Sequence, residues 1–173
     1  MTGRTAGLYW NVALEHKLLL YIETSVFGFC FDTEPRNAIR REAALALLEQ
    51  IRLGILNGGT SPVTFHEFEN AAEPLRSRLL GLLDDMPILP ADDDEVERLA
   101  EVYLNEGIVP GKFADDARHI AYATVGKADV LVSLNLRHLA NEWTERKVEV
   151  VNQREGYEAL HIRTPEEVLS YEG

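Results

Sequence analysis

Cysteine is almost absent from this sequence, with Cys30 the single example among 173 residues. One cysteine cannot form a disulfide within the chain, and it leaves neither a Cys-x-x-Cys pair nor a cysteine-based zinc cluster. Such usage is typical of proteins in a reducing compartment, so we expect a cytoplasmic protein.

Long apolar runs are also absent. The apolar run at residues 18–22 is far too short to cross a bilayer, which requires about 20 such residues. Residues 1–17 lack the basic start and the continuous apolar core of a signal peptide. We therefore expect a protein that makes no membrane contact.

Positively charged residues are few: the sequence has 17 Lys and Arg residues and 29 Asp and Glu residues, which gives a net charge of −12. Binding to phosphates normally leaves a basic footprint, so this composition argues at first sight against a nucleic-acid partner. The acidity is regional, however, because residues 84–106 hold nine acids and one base, whereas residues 112–138 hold three acids and four bases. Lys112, Arg118 and Arg137 are candidate phosphate contacts, although solvated surface positions are their ordinary interpretation.

Several enzyme motifs are missing. The sequence has no Gly-x-x-x-x-Gly-Lys-Ser/Thr phosphate loop, no Gly-x-Ser-x-Gly elbow, no His-Glu-x-x-His pair and no Rossmann glycine cluster. Other metal-using α/β hydrolases and phosphotransfer domains therefore lack support from the sequence.

The length and composition suit one compact domain. A chain of 173 residues with 46% hydrophobic content can bury a sizeable core, and two domains are not expected. Residues 1–17 are less regularly patterned and are interpreted as an N-terminal extension. Residues 18–170 are predicted to form the single domain.

Apolar runs and helical periodicities alternate along that domain. Residues 18–22, 130–133 and 148–151 are predicted to be strands, with a short extended piece at 87–90. Helices are predicted at 36–53, from Ser61-Pro62 through Glu67, at 74–85, 92–106, from Asp115 onward, near 136–146, and from Thr164-Pro165 onward. This alternation is typical of an α/β fold whose central, mainly parallel sheet is covered by helices on both faces.

One predicted helix has an acid on its apolar face. Asp116, Ile120 and Ala123 lie at i, i+4 and i+7, so their side chains share one face. An ionised carboxylate on a packed face costs free energy unless it is hydrogen-bonded, paired, solvated or bound to a metal. Asp is also a common helix-starting residue, so capping and a functional site both explain Asp116 at this point.

Other polar residues are predicted to converge with Asp116. Ligands of parallel sheets gather outside the carboxyl ends of the strands, and Glu23 and Asn135 each follow a predicted strand. Glu67 can reach the same edge from its own helix. Carboxylates brought together repel one another unless they are protonated or neutralised, and Mg²⁺ and Mn²⁺ prefer such oxygen ligands. Metal-assisted hydrolysis is therefore a candidate activity.

Four segments resemble the PIN-domain ribonucleases, in particular the VapC-like toxins of type II toxin–antitoxin systems. In the family's order they are Tyr21-Ile-Glu-Thr-Ser-Val, Ser61-Pro-Val-Thr-Phe-His-Glu67, Ala114-Asp-Asp-Ala-Arg-His-Ile-Ala-Tyr-Ala and Ala128-Asp-Val-Leu-Val-Ser-Leu-Asn-Leu-Arg-His. The third and fourth together are fairly specific, whereas an acid in an amphipathic helix, as in the second, is common. With a similar C-terminal tail after Gly156, the resemblance covers residues 18–170.

The resemblance implies a PIN-like three-layer fold and a metal-dependent endoribonuclease that hydrolyses RNA phosphodiester bonds. Glu23, Glu67 and Asp116 match the family's metal-binding acids, with Mg²⁺ or Mn²⁺ as the cofactor. Asn135 stands at a catalytic position where many members have a further Asp. The resemblance also implies the toxin component of a toxin–antitoxin pair, with an RNA substrate, a cognate antitoxin protein and a homo-oligomer, expected to be a dimer.

The chain departs from the family pattern at two positions. Glu23 replaces the usual Asp and adds a methylene, while Asn135 is neutral and offers only a carbonyl oxygen. With three acids rather than four, one tightly held ion is favoured. Thr24, Ser25 and Asp115 are candidates for supporting roles around the metal or the phosphate, and helix capping also explains Thr24 and Ser25.

Two histidines near these segments are candidates for general-base catalysis. His119 follows Asp116 by three residues and shares its face, while His138 lies in the fourth segment. A histidine that lines the core and bonds to backbone is the commoner arrangement, so neither is assigned a catalytic role. The alternative function is a PIN-like domain that has lost activity and binds RNA or a protein.

Overall fold

A fully parallel four-stranded sheet forms the centre of the molecule. The computed structural model describes residues 17–171, so residues 1–16, most of the predicted extension, and residues 172–173 lie outside the described residues. The strands are β1 (Leu19–Ile22), β2 (Asn57–Gly59), β3 (Val130–Val132) and β4 (His161–Arg163). Their order is β2-β1-β3-β4, and every neighbouring pair is parallel. The predicted parallel sheet is confirmed.

The part of the chain that the structure describes contains eight α-helices. They are α1 (Thr24–Phe29), α2 (Ala38–Arg52), α3 (Pro62–Glu69), α4 (Leu75–Leu82), α5 (Asp93–Asn105), α6 (Ala114–Val125), α7 (Glu142–Glu155) and α8 (Pro165–Tyr171). The helices predicted at 36–53, 74–85 and 92–106 and those that hold Glu67 and Asp116 are confirmed. None of the helices described between residues 17 and 171 is long and apolar enough to span a membrane.

The helices cover both faces of the sheet, because successive side chains of a strand point to opposite faces. Tyr21 and Leu131 belong to one buried apolar cluster, together with residues of α5, α6 and α7. Leu20, Ile22 and Val132 belong to a second cluster, together with residues of α1, α2 and α4. The fold therefore has three layers, with helices on either side of the sheet, as the sequence predicts.

The strand predicted at residues 148–151 is wrong, because these residues lie inside α7. Val148 and Val151 are buried, whereas Val150 is 64% exposed. Burial at a spacing of three residues fits a helix rather than an alternating strand. The run of valines favours a strand by composition, and the helical packing against the core overrides that preference.

The helix predicted near residues 136–146 begins later and extends further than expected, as α7. Asn141 precedes its first turn and accepts a hydrogen bond from the Thr144 amide at 2.9 Å. Gly156 ends the helix with a φ of 83°, a conformation that glycine adopts readily. The segment between β3 and Asn141 is thus a loop, and this loop borders the site described below.

Two short helices place acids near the carboxyl edge of the sheet. Glu23 follows β1 and caps α1, because its carboxylate accepts a hydrogen bond from the Ser25 amide at 3.1 Å. Ser61 caps α3 in the same way, and Pro62 suits the first turn because its missing N–H has no partner to lose. The position of Glu67 is set by this short helix.

Candidate functional site

Side chains from four segments meet beyond the carboxyl ends of β1 and β3. Glu23 directly follows β1, and Asn135 lies in the loop after β3. Glu67 projects from α3, and Asp116 lies in the first turn of α6. Parallel strands end at a common edge, so residues that are distant in sequence come together there.

Glu23 is the most deeply buried of the three acids, with 4% of the residue exposed. Its Oε2 accepts hydrogen bonds from Ser133 Oγ at 2.7 Å and from Ser25 Oγ. Burial raises the pKa of Glu23, and the charge of His119 and the serine hydrogen bonds oppose that rise. Donors from two segments therefore fix the orientation of this carboxyl group.

Glu67 contacts a different set of donors. Its Oε1 accepts a hydrogen bond from Thr24 Oγ1 at 2.9 Å and forms a short hydrogen bond with Nε2 of His119. The Glu67 side chain is 28% exposed, whereas His119 is fully buried. Since Thr24 directly follows Glu23, the first turn of α1 positions both acids.

His119 is held on its other side by Tyr21. The Tyr21 hydroxyl lies 2.7 Å from Nδ1 of His119 and 2.6 Å from Oγ of Ser61. All three residues are fully buried, so they form a hydrogen-bonded chain that leads from the core to Glu67. A ring protonated at both nitrogens donates to Glu67 and to the Tyr21 oxygen, and Tyr21 then donates to Ser61.

All three acids act electrostatically on His119. Burial lowers the pKa of His119, but the hydrogen bond with Glu67 and the charges of Glu23, Glu67 and Asp116 leave that pKa above its ordinary value. A positive charge on His119 reduces the repulsion between carboxylates that approach from three elements. His119 is therefore in direct contact with Glu67 and within electrostatic range of Glu23 and Asp116.

Asp116 has a second histidine as its direct partner. Its Oδ2 lies 3.1 Å from Nδ1 of His138, and the two side chains are only 15% and 13% exposed. Burial raises the pKa of Asp116, the hydrogen bond with His138 and the charge of His119 oppose the rise, and the charge of Glu67 adds to it. Phe113 occupies the cap position of α6 and makes no side-chain cap hydrogen bond, so Asp116 does not cap this helix.

Asn135 and Ser25 shape the loop that follows β3. Asn135 Oδ1 accepts a hydrogen bond from the His138 amide at 3.1 Å, so this amide oxygen orders its own loop. Ser25 Oγ accepts a hydrogen bond from the Leu134 amide at 2.8 Å, in addition to its contact with Glu23. Ser25 thereby attaches the loop to α1, and Asn135 orders the loop internally.

Asp115 lies apart from the other acids. Its side chain is 53% exposed and pairs with Arg118 at 2.9 Å, on the outer surface of α6. Arg118 also contacts Glu97 of α5 at 2.9 Å. The structure therefore brings Glu23, Glu67 and Asp116 near His119 and leaves Asp115 in a surface ion pair.

The donor chemistry of the site suits a hard divalent cation. Three carboxyl groups with hydroxyl groups beside them are the oxygen donors that Mg²⁺ and Mn²⁺ prefer. Among residues 17–171, however, no three His, Cys, Asp or Glu side chains are grouped closely enough to hold a metal ion. The carboxyl groups are hydrogen-bonded to hydroxyl and imidazole groups. The residues fit a cation by type, while their arrangement here is not a closed metal site.

The sequence gives no role at this site to three of its buried polar residues, although it names His119 as a candidate. They are Tyr21, His119 and Ser133, all of which are fully buried. For His119 a signal exists, because it lies one helical turn after Asp116 on the same face. Tyr21 and Ser133 are polar side chains within or directly after apolar strands, and such side chains need buried partners.

Comparison with protein families gives one match. The family model described as PIN domain matches residues 20–142, which is more than half of the chain. The matched range includes Glu23, Glu67, Asp116 and Asn135. No curated protein matches the sequence.

Proposed function

The chain belongs to the PIN-domain family, and from that membership we propose that it is an endoribonuclease that hydrolyses RNA phosphodiester bonds and depends on Mg²⁺ or Mn²⁺. PIN domains are typically nucleases and generally use divalent metal ions. The family therefore supports nuclease chemistry, and the choice of RNA and of these two ions is our proposal.

The convergence of three acids on one buried histidine is the observation that supports this proposal most strongly. Glu23, Glu67 and Asp116 come from three separate elements, and the charge of each raises the pKa of His119. Like charges are costly to bring together, and functional sites are where such arrangements concentrate. A purely structural role does not explain the three acids well. Hydrophobic residues at the same positions would stabilise the fold without the free-energy cost of removing charges from water.

Glu23, Glu67 and Asp116 would hold the cation through their carboxylate oxygens. The chemistry that a divalent ion would supply there is the activation of a water and the neutralisation of charge on the phosphate. The surrounding side chains orient the carboxylates, with Ser133 holding Glu23 and His119 holding Glu67. Hydrolysis by water needs no covalent enzyme intermediate.

The resemblance to VapC-like toxins supports a more specific proposal. We propose that the chain is the toxin component of a toxin–antitoxin pair, that a small antitoxin protein inhibits it, and that it forms a homodimer. Cytoplasmic RNA would be its substrate. Residues 18–170 would act as one PIN-like domain, with residues 1–17 as an extension.

RNA cleavage by purified protein tests the proposed activity. Single-stranded and hairpin RNAs are incubated with wild type and with Asp116→Asn, in EDTA and in added Mg²⁺ or Mn²⁺, and the products are resolved on denaturing gels. We expect metal-dependent cleavage by wild type and a rate lower by about 100-fold or more in Asp116→Asn, because a metal-holding carboxylate is lost.

Asp94→Asn provides the matched control for this experiment. Asp94 is an exposed acid in the first turn of α5, so the same chemical change is made in an equivalent helical position away from the site. We expect it to cleave like wild type. Cleavage in EDTA, or equal activity in Asp116→Asn, would show that the proposed mechanism is wrong.

A second candidate function is a PIN-like domain that binds RNA or protein without cleaving it. Glu23 replaces the Asp of the family pattern, is buried, and has Oε2 occupied by two serine hydroxyls. Asn135 is neutral and has its amide oxygen engaged within its own loop. This candidate predicts that no RNA of the same panel is cleaved in any metal, and RNA binding then separates an RNA-binding domain from a protein-binding one.

A further inference from the structure

An aromatic pair borders Asp116 at the start of α6. The rings of Phe113 and His138 have centroids 4.2 Å apart with planes tilted by 56°. Phe113 is only partly buried, so part of its ring faces solvent. Phe113 precedes Asp116 by less than one helical turn, which places this surface directly beside the candidate site.

One cation contacts the aromatic pair, and a second adjoins it in sequence. Lys112 Nζ lies over the Phe113 ring, 5.2 Å from its centroid, and Arg137 directly precedes His138 in the chain. Both side chains are exposed, and neither forms an ion pair with any residue between 17 and 171. Arg118, by contrast, is neutralised by Glu97 and Asp115. In a chain with a net charge of −12, unpaired cations at this position leave a local site for an anion.

His138 attaches the aromatic pair to the acids. Its Nδ1 contacts Asp116 Oδ2 at 3.1 Å, and its amide donates to Asn135 Oδ1 at 3.1 Å. The first contact orients the ring and the second fixes the backbone of His138, so Phe113 packs against an ordered surface. A group that stacks on Phe113 is therefore held at a defined position relative to Asp116.

We propose that Phe113, His138, Lys112 and Arg137 form a subsite for one unpaired nucleotide of a single-stranded RNA, a proposal that rests on the nuclease function above. The base takes the place of the Lys112 ammonium over the Phe113 ring, and the adjacent phosphates contact Lys112 and Arg137. Bases within a duplex are already stacked on their neighbours, so only a single strand or a loop can use this subsite. The subsite selects single-stranded substrate and places its backbone beside Asp116.

Binding in EDTA tests the subsite without requiring cleavage. A short single-stranded RNA with one internal 2-aminopurine is titrated with the full chain, and its fluorescence reports stacking of that base. We expect quenching with wild type. Phe113→Leu should abolish the quenching and weaken binding about fivefold or more, because one base loses its aromatic partner.

The cations are tested by the salt dependence of the same binding. Lys112→Gln and Arg137→Gln should each reduce the slope of log K against log salt by about 0.7, the value for one phosphate contact to a single strand. Both side chains are exposed, so these variants should fold even if Phe113→Leu does not. Trp143→Leu and Lys147→Gln on α7 are the matched controls, since both residues are exposed on a different helix.

The outcomes separate this inference from the nuclease proposal. The subsite is wrong if wild type does not bind the single strand in EDTA, if it binds duplex RNA equally well, or if Phe113→Leu, Lys112→Gln and Arg137→Gln behave like the α7 controls. Metal-dependent cleavage can persist in all of these cases. Conversely, variant effects on binding without any cleavage support the subsite and reject the nuclease proposal.

Discussion

Each nitrogen of the His119 ring has a partner from a different element. Nε2 contacts Glu67 of α3, and Nδ1 contacts Tyr21 of β1, so the imidazole connects two elements that are separate in sequence. A buried polar network of this kind is stabilising only while every member keeps its partner. Removing the imidazole leaves Tyr21 without this partner and leaves Glu67 with Thr24 as its remaining donor. His119 should therefore contribute to stability as well as to the geometry of the acids.

His119→Gln is expected to lower the free energy of unfolding by about 1–3 kcal/mol at pH 7 in EDTA, because the buried hydrogen bonds of the imidazole with Glu67 and Tyr21 are lost. Urea unfolding followed by circular dichroism measures the change. His66→Gln is the matched control, since the His66 side chain is 76% exposed and its ion pair with Glu69 is solvated. A stability of His119→Gln equal to that of His66→Gln would contradict the structural role given to this network.

The sequence alone identifies Asp116 as a candidate site residue but does not reveal the role of His119. Asp116 is recognisable because an acid on an apolar stripe is costly, and this cost is visible from helical spacing alone. The importance of His119 depends on Tyr21, Ser61 and Glu67, whose proximity is created by the folded sheet. Helical spacing identifies neighbours on one helix and contains no information about partners from other elements.

Among the secondary-structure elements, β2 is a strand that the sequence pattern does not predict but that the fold requires. It consists of Asn57, Gly58 and Gly59, residues that are poor strand formers. A Cβ at Gly59 would lie 2.5 Å from the Pro87 carbonyl oxygen and 2.9 Å from Leu89 Cδ2. The glycine is therefore required by the close approach of the chain at residues 87–89. Sequence periodicity cannot show this, because the reason for the glycine lies in another segment.

Gly59→Ala is expected to destabilise the protein by about 1–3 kcal/mol, because a backbone carbonyl must move to accept the new methyl group. Gly81→Ala is the matched control, since the same substitution in α4 meets no atom within 4 Å and alanine favours helices. Urea unfolding should show Gly81→Ala to be equal to wild type or slightly more stable. Equal stability of the two variants would mean that the approach at Gly59 is not tight in solution.

The same element affects the candidate site. β2 leads through Thr60, whose hydroxyl donates to the Ile22 carbonyl at 2.7 Å, into the helix that holds Glu67. Ile22 in turn precedes Glu23. A displacement of β2 would therefore move Glu67 relative to Glu23. We predict that Gly59→Ala shows impaired RNA cleavage even at temperatures where it remains folded, whereas Gly81→Ala does not.

At the scale of the whole molecule, β1 connects both halves of the core. It pairs with β2 on one side and with β3 on the other, and its residues enter both apolar clusters. Alternating strands and helices are enough to predict this three-layer arrangement, because a parallel sheet must be covered on both faces. The same reasoning predicts that Glu23 and Asp116 lie at one edge. The hydrogen-bond partners of each acid depend on side-chain packing, which the pattern does not specify.

The central position of β1 also gives a test of the domain boundary predicted at residue 18. The family match begins at residue 20, and Leu20, Tyr21 and Ile22 of β1 are members of the two apolar clusters. A variant that starts at Lys17 is therefore expected to unfold in one cooperative transition, with a melting temperature lowered by no more than about 2–4 °C. A variant that starts after Tyr21 removes most of the central strand and should not fold. If the shorter deletion also abolishes the cooperative transition in circular dichroism, the first sixteen residues are an integral part of the domain rather than an extension.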